Sequence, residues 1–271
     1  MEILYEDNHI IIVNKAPGEI VQGDKTGDVP LSDLVKAYIK ERYAKPGAVF
    51  LGVVHRLDRP VSGVVVFART SKALERLNRM FANHEVKKVY HAIVKDQKPT
   101  SHTSPEPPAV NDALASFRGN SPSLQGEGCQ GAAGSPDGEG LGEGLFLRHY
   151  LTRNTQQNKA YAYDTPRPGA KEAVLEVRPI ARGDRYQLVE VHLHTGRHHQ
   201  IRCQLAKVGI PIRGDLKYGA PRSLSDGSIS LHARSVSFEH PVSHKPIYVE
   251  APYPADTLWS ALAQTMNDKR P

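Results

Sequence analysis

The segment His55-Arg56-Leu57-Asp58-Arg59-Pro60-Val61-Ser62-Gly63-Val64-Val65-Val66-Phe67-Ala68 joins two opposite textures. Its first half is charged and broken by a proline, so it reads as a loop or strand end. Its second half is an unbroken β-branched and aromatic run, which reads as a buried strand. A carboxylate between two arginines and near a histidine has its ionised form favoured by neighbouring charge. Held on a rigid strand end, such a group can act as a nucleophile. The residue types alone leave a second reading open, a structural Asp–Arg ion pair beside a turn.

Working outward, Ile10–Val13 reads as a buried strand and Pro17-Gly18 as a turn. Leu31, Leu34, Val35, Tyr38 and Ile39 recur at helical spacing over 31–43, and Val49–Val54 is β-rich. Downstream, Ser71 is placed to cap a helix carrying Leu74, Leu77, Met80 and Phe81 to about His84. Lys87–Val94 follows as a strand whose alternation sets Lys88, Tyr90 and Ala92 on one face. Further β-like runs lie at Leu145–Leu151, Ala173–Val177, Tyr186–Leu193, Ser228–Phe238 and Ile247–Val249. His198–Val208 reads as a helix closed by Gly209, and Asp256–Met266 as a last helix. Many strands with few helices predict an α+β chain: a mixed, largely antiparallel sheet core with flanking helices.

Pro99 to Gly144 differs in kind, being crowded with Gly, Pro and Ser and short of large apolar residues. It cannot bury enough surface to offset its ordering entropy, so 99–144 is expected to be a disordered insertion within one domain spanning 1–271. It holds six acidic residues against Arg118. With +6 for the whole chain, the rest carries eleven net positive charges, a balance compatible with nucleic-acid binding.

The chain has 271 residues, 39% hydrophobic and 24% charged, the composition of a globular protein. No apolar run is long enough to cross a bilayer, and the N-terminal residues do not resemble a secretory leader. Cys129 and Cys203 alone make neither a disulfide framework nor a cysteine zinc site. These features point to the cytoplasm and away from membranes.

A second constellation is Val191-His192-Leu193-His194-Thr195-Gly196-Arg197-His198-His199-Gln200-Ile201-Arg202. Four histidines in eight positions invite a metal reading, but their spacing and the lack of a nearby carboxylate argue against one. A Thr-Gly turn entering a helix rich in arginines and amides fits phosphate capture, or simply a solvated basic face.

Taken together, these segments resemble the RluA family of RNA pseudouridine synthases. The resemblance rests on His55-Arg56-Leu57-Asp58 with Ser62-Gly63, Lys88-Val89-Tyr90-His91-Ala92, and Thr195-Gly196-Arg197-His198-His199-Gln200-Ile201-Arg202. Pro211-Ile212-Arg213-Gly214-Asp215 with Tyr218-Gly219, and Leu231-His232-Ala233 with His240-Pro241, extend it in the same order. It covers nearly the whole chain outside 99–144, and implies the pseudouridine synthase fold without the small N-terminal RNA-binding module of many relatives. Val61 stands where relatives often have threonine.

The resemblance implies that Asp58 is the catalytic aspartate, that Tyr90 packs near the target base, and that Arg202 pairs with the aspartate. It implies that Arg56, beside His55, enters the RNA helix where the flipped uridine leaves it. Arg197 and His199 fall to RNA backbone binding or support of the site. No cofactor or metal is expected, because the isomerisation changes no oxidation state and adds no group. The expected partner is ribosomal or transfer RNA, acted on by a monomer. Two other classes are weighed beside it. A non-catalytic RNA-binding protein would use Asp58 only to anchor Arg202. A metal-dependent nuclease would stop on chelation and leave shortened products.

Overall fold

The computed structural model describes residues 1–24, 26–96 and 144–267. Apart from Gly144, the expected insertion at 99–144 lies outside them. The described residues up to Asp96 and those from Gly144 onward form one compact unit. Its strands are β1 (Glu2–Glu6), β2 (Ile10–Lys15), β3 (Gly52–Val53), β4 (Ser62–Ala68), β5 (Lys87–Lys95) and β6 (Leu145–Asn154). They continue as β7 (Lys159–Tyr163), β8 (Lys171–Arg182), β9 (Tyr186–Leu193), β10 (Leu231–Glu239) and β11 (Pro246–Glu250). The helices are α1 (Leu31–Arg42), α2 (Ser71–Ala82), α3 (Gln200–Lys207) and α4 (Thr257–Asn267), with a 3-10 turn at Leu216–Tyr218.

All these strands join one sheet in the order β1-β2-β4-β10-β5-β9-β8-β6-β7, with β11 beside β10 and β3 beside β4. Every pair is antiparallel except β4 with β10, which run parallel through Ser62 and Gly63 against His232 and Ala233. The expected α+β architecture with a largely antiparallel sheet is therefore what the chain adopts.

Strict alternation divides the core. Ile11, Val13, Val65, Phe67, Tyr90, Ala92 and Val94 pack on one face beneath α1 and α3. Ile10, Ile12, Val64 and Val66 turn to the other face under α2, and Ile93 turns to α4. β2 and β4 are apolar on both sides, so their sequences read as continuous runs. Each fully buried valine or isoleucine contributes about 1.5–3 kcal/mol. The loop before β4 adds Leu57 and Val61 to the α1/α3 face. Asp58 thus meets α3 and Tyr90 on that side.

Several local expectations need correcting. Thr70, not Ser71, caps α2, its Oγ1 accepting the Ala73 N–H at 3.2 Å. The run Val49–Val54 yields only the two residues of β3, because β3 fits beside β4 at Phe67 and Ala68, past the point where β10 has diverged. β8 runs on through Pro179, which the sequence would stop at; beyond Val177 it has lost β6 as neighbour, and a bulge absorbs the proline. β10 begins at Leu231 and α3 at Gln200, each later than expected. β1 and β7 were not anticipated, both being five-residue strands at the outer ends of the sheet. No helix among the described residues is long and apolar enough to cross a membrane.

Gly63 marks the parallel junction. Its φ is +112°, and a Cβ there would lie 2.2 Å from the carbonyl oxygen of Ala233. Backbone on both sides leaves no flexible atom to yield. Gly63→Ala is expected to lose at least about 2 kcal/mol of stability, read as a lowered urea midpoint. An unshifted midpoint would show that β10 gives way freely.

Candidate active site

Asp58 sits in the loop between β3 and β4, and that loop is held from beneath. The Lys15 ammonium, fully buried, donates to the carbonyls of Ala16 at 3.0 Å, Arg59 at 3.0 Å and Val61 at 2.6 Å. Two of its three protons therefore brace the chain around Asp58, and the third ties down the residue that follows β2. The backbone adds Val61 N–H to the Asp58 carbonyl at 3.0 Å and Gly18 N–H to the Arg59 carbonyl at 2.8 Å. Burial lowers the Lys15 pKa to about 8, against the raising pull of Glu19 and Asp58.

Across from the loop, Arg202 projects from the first turn of α3. Its Nη1 donates to Asp58 Oδ2 at 3.0 Å. Its Nε and Nη2 reach Asp215 Oδ2 at 2.6 Å and Oδ1 at 2.9 Å, a two-pronged grip on a carboxylate only 1% exposed. Burial pulls the Arg202 pKa down, but Asp215 and then Asp58 outweigh it, and the net direction is up. The guanidinium is thus fixed by one aspartate and presented to another. Asp58 keeps 28% of its side chain exposed, and among the described residues no donor meets its Oδ1.

His199 stands behind the pair, its Nε2 3.5 Å from Asp58 Oδ2 and its Nδ1 2.9 Å from the Tyr218 hydroxyl. The hydroxyl oxygen also accepts the Ala160 N–H at 2.8 Å. Burial, reinforced by Arg202 and opposed by Asp58, takes the His199 pKa to about 3, so the ring is neutral at physiological pH. His199 has φ +51°, a left-handed conformation costing a side-chain-bearing residue about 1–2 kcal/mol. Thr195 and Gln200 hold the turn: Thr195 Oγ1 accepts the Val174 N–H and donates to Gln200 Oε1, both at 2.8 Å. Gln200 Oε1 also accepts the Arg197 N–H at 2.9 Å. Thr195 and Gln200 of this segment, read from sequence as phosphate capture or a solvated basic face, thus shape the turn itself.

Tyr90 lies on β5 beside the same site, 8% exposed. Burial and then the negative charge of Asp58 push its pKa well up, keeping the phenol protonated. His55 accepts the Val66 N–H through Nε2 at 3.0 Å and stacks on Phe81 at 4.9 Å between centroids. Burial and the Lys88 charge lower its pKa to about 3. Arg56 is exposed, with Nη1 3.3 Å from Gln22 Oε1, and exposed Arg197 donates from Nε to the Glu172 carbonyl at 2.9 Å.

Asp58, His198 and His199 each bring one potential ligand atom within 4.8 Å of the others. A cation there would sit against the Arg202 guanidinium, already 3.0 Å from Asp58 Oδ2, and meet its like charge, so the donor set suits an ion pair better than a metal. The carboxylate missing from the histidine-rich segment is Asp58, supplied from far away in sequence.

A sequence profile described as RNA pseudouridylate synthase matches residues 9–207, which include Asp58, Tyr90, His199 and Arg202. The chain belongs to the RNA pseudouridylate synthase family. It is similar to ribosomal large subunit pseudouridine synthase D of Xylella fastidiosa, 30% identical over 99% of this chain and 70% of that protein. It is also similar to tRNA pseudouridine synthase C of Vibrio cholerae, 29% identical over 97% of this chain and 94% of that protein. The structure of human RNA pseudouridylate synthase domain containing 4 shares the fold, with a TM-score of 0.66 at 19% identity over 98% of this chain and 93% of that one.

Within this pseudouridylate synthase family member, Asp58, Tyr90, Arg202 and His199 gather at one place, while Arg56 and Arg197 lie exposed. Lys15, Asp215 and Tyr218 were not singled out from sequence. Asp215 and Tyr218 stood in quoted motifs without a role. Lys15 follows a buried apolar run, a position where an unpaired lysine is costly, and that was the available signal.

Proposed function

We propose that this chain converts uridine to pseudouridine within structured RNA, with Asp58 as the catalytic carboxylate. The observation that carries this is the fixed Arg202 guanidinium on Asp58 Oδ2, which leaves Oδ1 with no donor among the described residues on a side chain 28% exposed. Uracil must leave ribose carbon 1, turn, and rejoin through its carbon 5. Attack on carbon 1 and passage through a glycal both need a carboxylate held in one orientation, and the Arg202–Asp215 grip supplies that. Tyr90, protonated and packed beside Asp58, forms a wall against the base and a hydroxyl near carbon 5.

Arg56, exposed on the same loop as Asp58, fills the stack that the flipped uridine leaves. Flipping costs roughly a few kcal/mol, and this insertion together with phosphate contacts from exposed groups such as Arg197 offsets it. His199 supports Asp58 from behind. His55, pinned to β4 and Phe81, supports the loop rather than meeting RNA directly. The similar proteins bear names for both ribosomal and transfer RNA, so the substrate lies in one of these classes.

Mapping pseudouridines across total RNA from wild-type, deletion and Asp58→Asn strains tests the proposal. A site lost on deletion and restored by the wild type but not by Asp58→Asn is the expected result. Purified enzyme that yields no pseudouridine in any RNA fraction would leave only an RNA-binding role.

The pH profile gives a second check. His55 and His199 titrate at about 3, so neither changes charge near neutrality, and burial lowers His198 from its ordinary value. Lys15 titrates at about 8; above that pH it loses its charge and one of the three protons that tie the Asp58 loop to the end of β2. Single-turnover rates are therefore expected to be flat from about pH 5.5 to 7.5 and to fall above about pH 8. An inflection near pH 6.5 would put a histidine in the proton path.

A further inference from the structure

The sheet ends in the β6–β7 hairpin, whose two faces differ in kind. Leu151, Ala160 and Ala162 face inward against Cys203 and Ala206 of α3. The register pairs Tyr150 with Tyr163, Thr152 with Tyr161 and Asn154 with Lys159, so the outer face carries three tyrosines and a lysine. Lys159 Nζ lies 5.6 Å from the Tyr161 ring centroid, and the Arg167 guanidinium lies 4.0 Å from that of Tyr163. Tyr161 is 37% exposed, and Thr155–Asn158 and Arg167 are exposed as well, while Arg153, opposite Ala160, turns to the inner face.

This face is joined to the candidate active site. Lys159 Nζ is also 5.3 Å from the Tyr218 ring, and the Arg202 guanidinium is 5.1 Å from the same ring. A ladder of alternating cations and rings thus runs from Asp58 through Arg202, Tyr218 and Lys159 to Tyr161. Its charge fits a polyanion. Between Arg148 and Glu172 stand Arg148, Arg153, Lys159, Arg167 and Lys171, against Asp164 and Glu172. Both acids are paired, Asp164 with Lys207 at 2.9 Å and Glu172 with Arg148 at 2.5 Å.

We infer that the outer face of this hairpin binds a single-stranded stretch of the substrate RNA flanking the target uridine, with a base stacked on Tyr161 and phosphates on Lys159 and Arg167. This rests on the isomerase reading above. Aromatic rings beside basic side chains are how proteins hold unpaired nucleotides without reading their sequence. A protein partner would call for an apolar patch, and here the rings are small in number and ringed by cations. Tyrosine on an edge strand also serves strand propensity alone, and the two roles separate by experiment.

The test measures binding of a fluorescein-labelled 12-nucleotide uridine-rich RNA to the full chain, by anisotropy, for wild type, Tyr161→Ala and Tyr161→Phe. The expected result is affinity at least about 10-fold weaker for Tyr161→Ala, recovery in Tyr161→Phe, and an unchanged thermal midpoint. Equal affinity for Tyr161→Ala, or an equal loss in Tyr161→Phe, overturns the inference. Should Tyr161→Ala fold poorly, ultraviolet crosslinking of the same RNA to wild type decides. A crosslinked peptide holding Tyr161 or Tyr163 supports it, and one elsewhere, or no RNA binding at low salt, overturns it. Pseudouridine formation by wild type with an unaffected Tyr161→Ala would sink this inference alone. Absence of pseudouridine formation alongside Tyr161-dependent binding would sink the isomerase reading instead.

Discussion

Asp58→Asn is expected to lower the rate of pseudouridine formation by at least ~10⁴-fold while leaving RNA affinity unchanged. The amide has the shape of the carboxylate, and its oxygen can still accept from Arg202 Nη1, which donates at 3.0 Å in the wild type. The loop stays braced by Lys15, and Arg202 stays anchored on Asp215, so the fold has no reason to change. What disappears is the charged oxygen that attacks or deprotonates the ribose. Single-turnover assays with enzyme in excess, on a transcript carrying the mapped uridine, separate this from any binding defect. A variant within about 10-fold of the wild-type rate would remove Asp58 from the chemistry, whatever its geometry.

How much of this site the sequence disclosed follows from where its information lies. Local periodicity found β2, β4, β5 and β9 because their residues alternate or run apolar within a few positions. It also found α1 and α2. It failed where a neighbour decides: β8 continues through Pro179 only because β6 is absent there, and β3 is short only because β10 leaves a gap beside β4. Asp58 and Arg202 were visible together through a resemblance to a known family, since nothing local links residues so far apart. Asp215 was harder still. A carboxylate after Arg213-Gly214 looks like a surface turn, yet the structure leaves it 1% exposed and doubly bonded to Arg202. At His55 the charged motif gives no sign of what the structure adds, a ring that accepts a backbone N–H and stacks on Phe81.

Arg202→Met is expected to be the most damaging single change to stability, at about 3–5 kcal/mol, and also to abolish turnover. The methionine fills similar volume, so the loss comes from charge rather than from a cavity. Asp215, almost fully buried, would lose both of its Arg202 donors and keep an uncompensated charge. Asp58, more exposed, would be left unaimed rather than stranded. Stability and catalysis therefore depend on different ends of the same guanidinium, and a second substitution separates them. Adding Asp215→Leu to Arg202→Met replaces the buried pair with apolar groups, a change that often restores stability. The double variant is expected to regain most of the lost urea midpoint while remaining inactive, because nothing holds Asp58 Oδ2. Recovery of turnover together with stability would show that Arg202 serves only the fold. A single variant as stable as wild type would show that Asp215 finds other donors, and that the fixed guanidinium is not what orders the site.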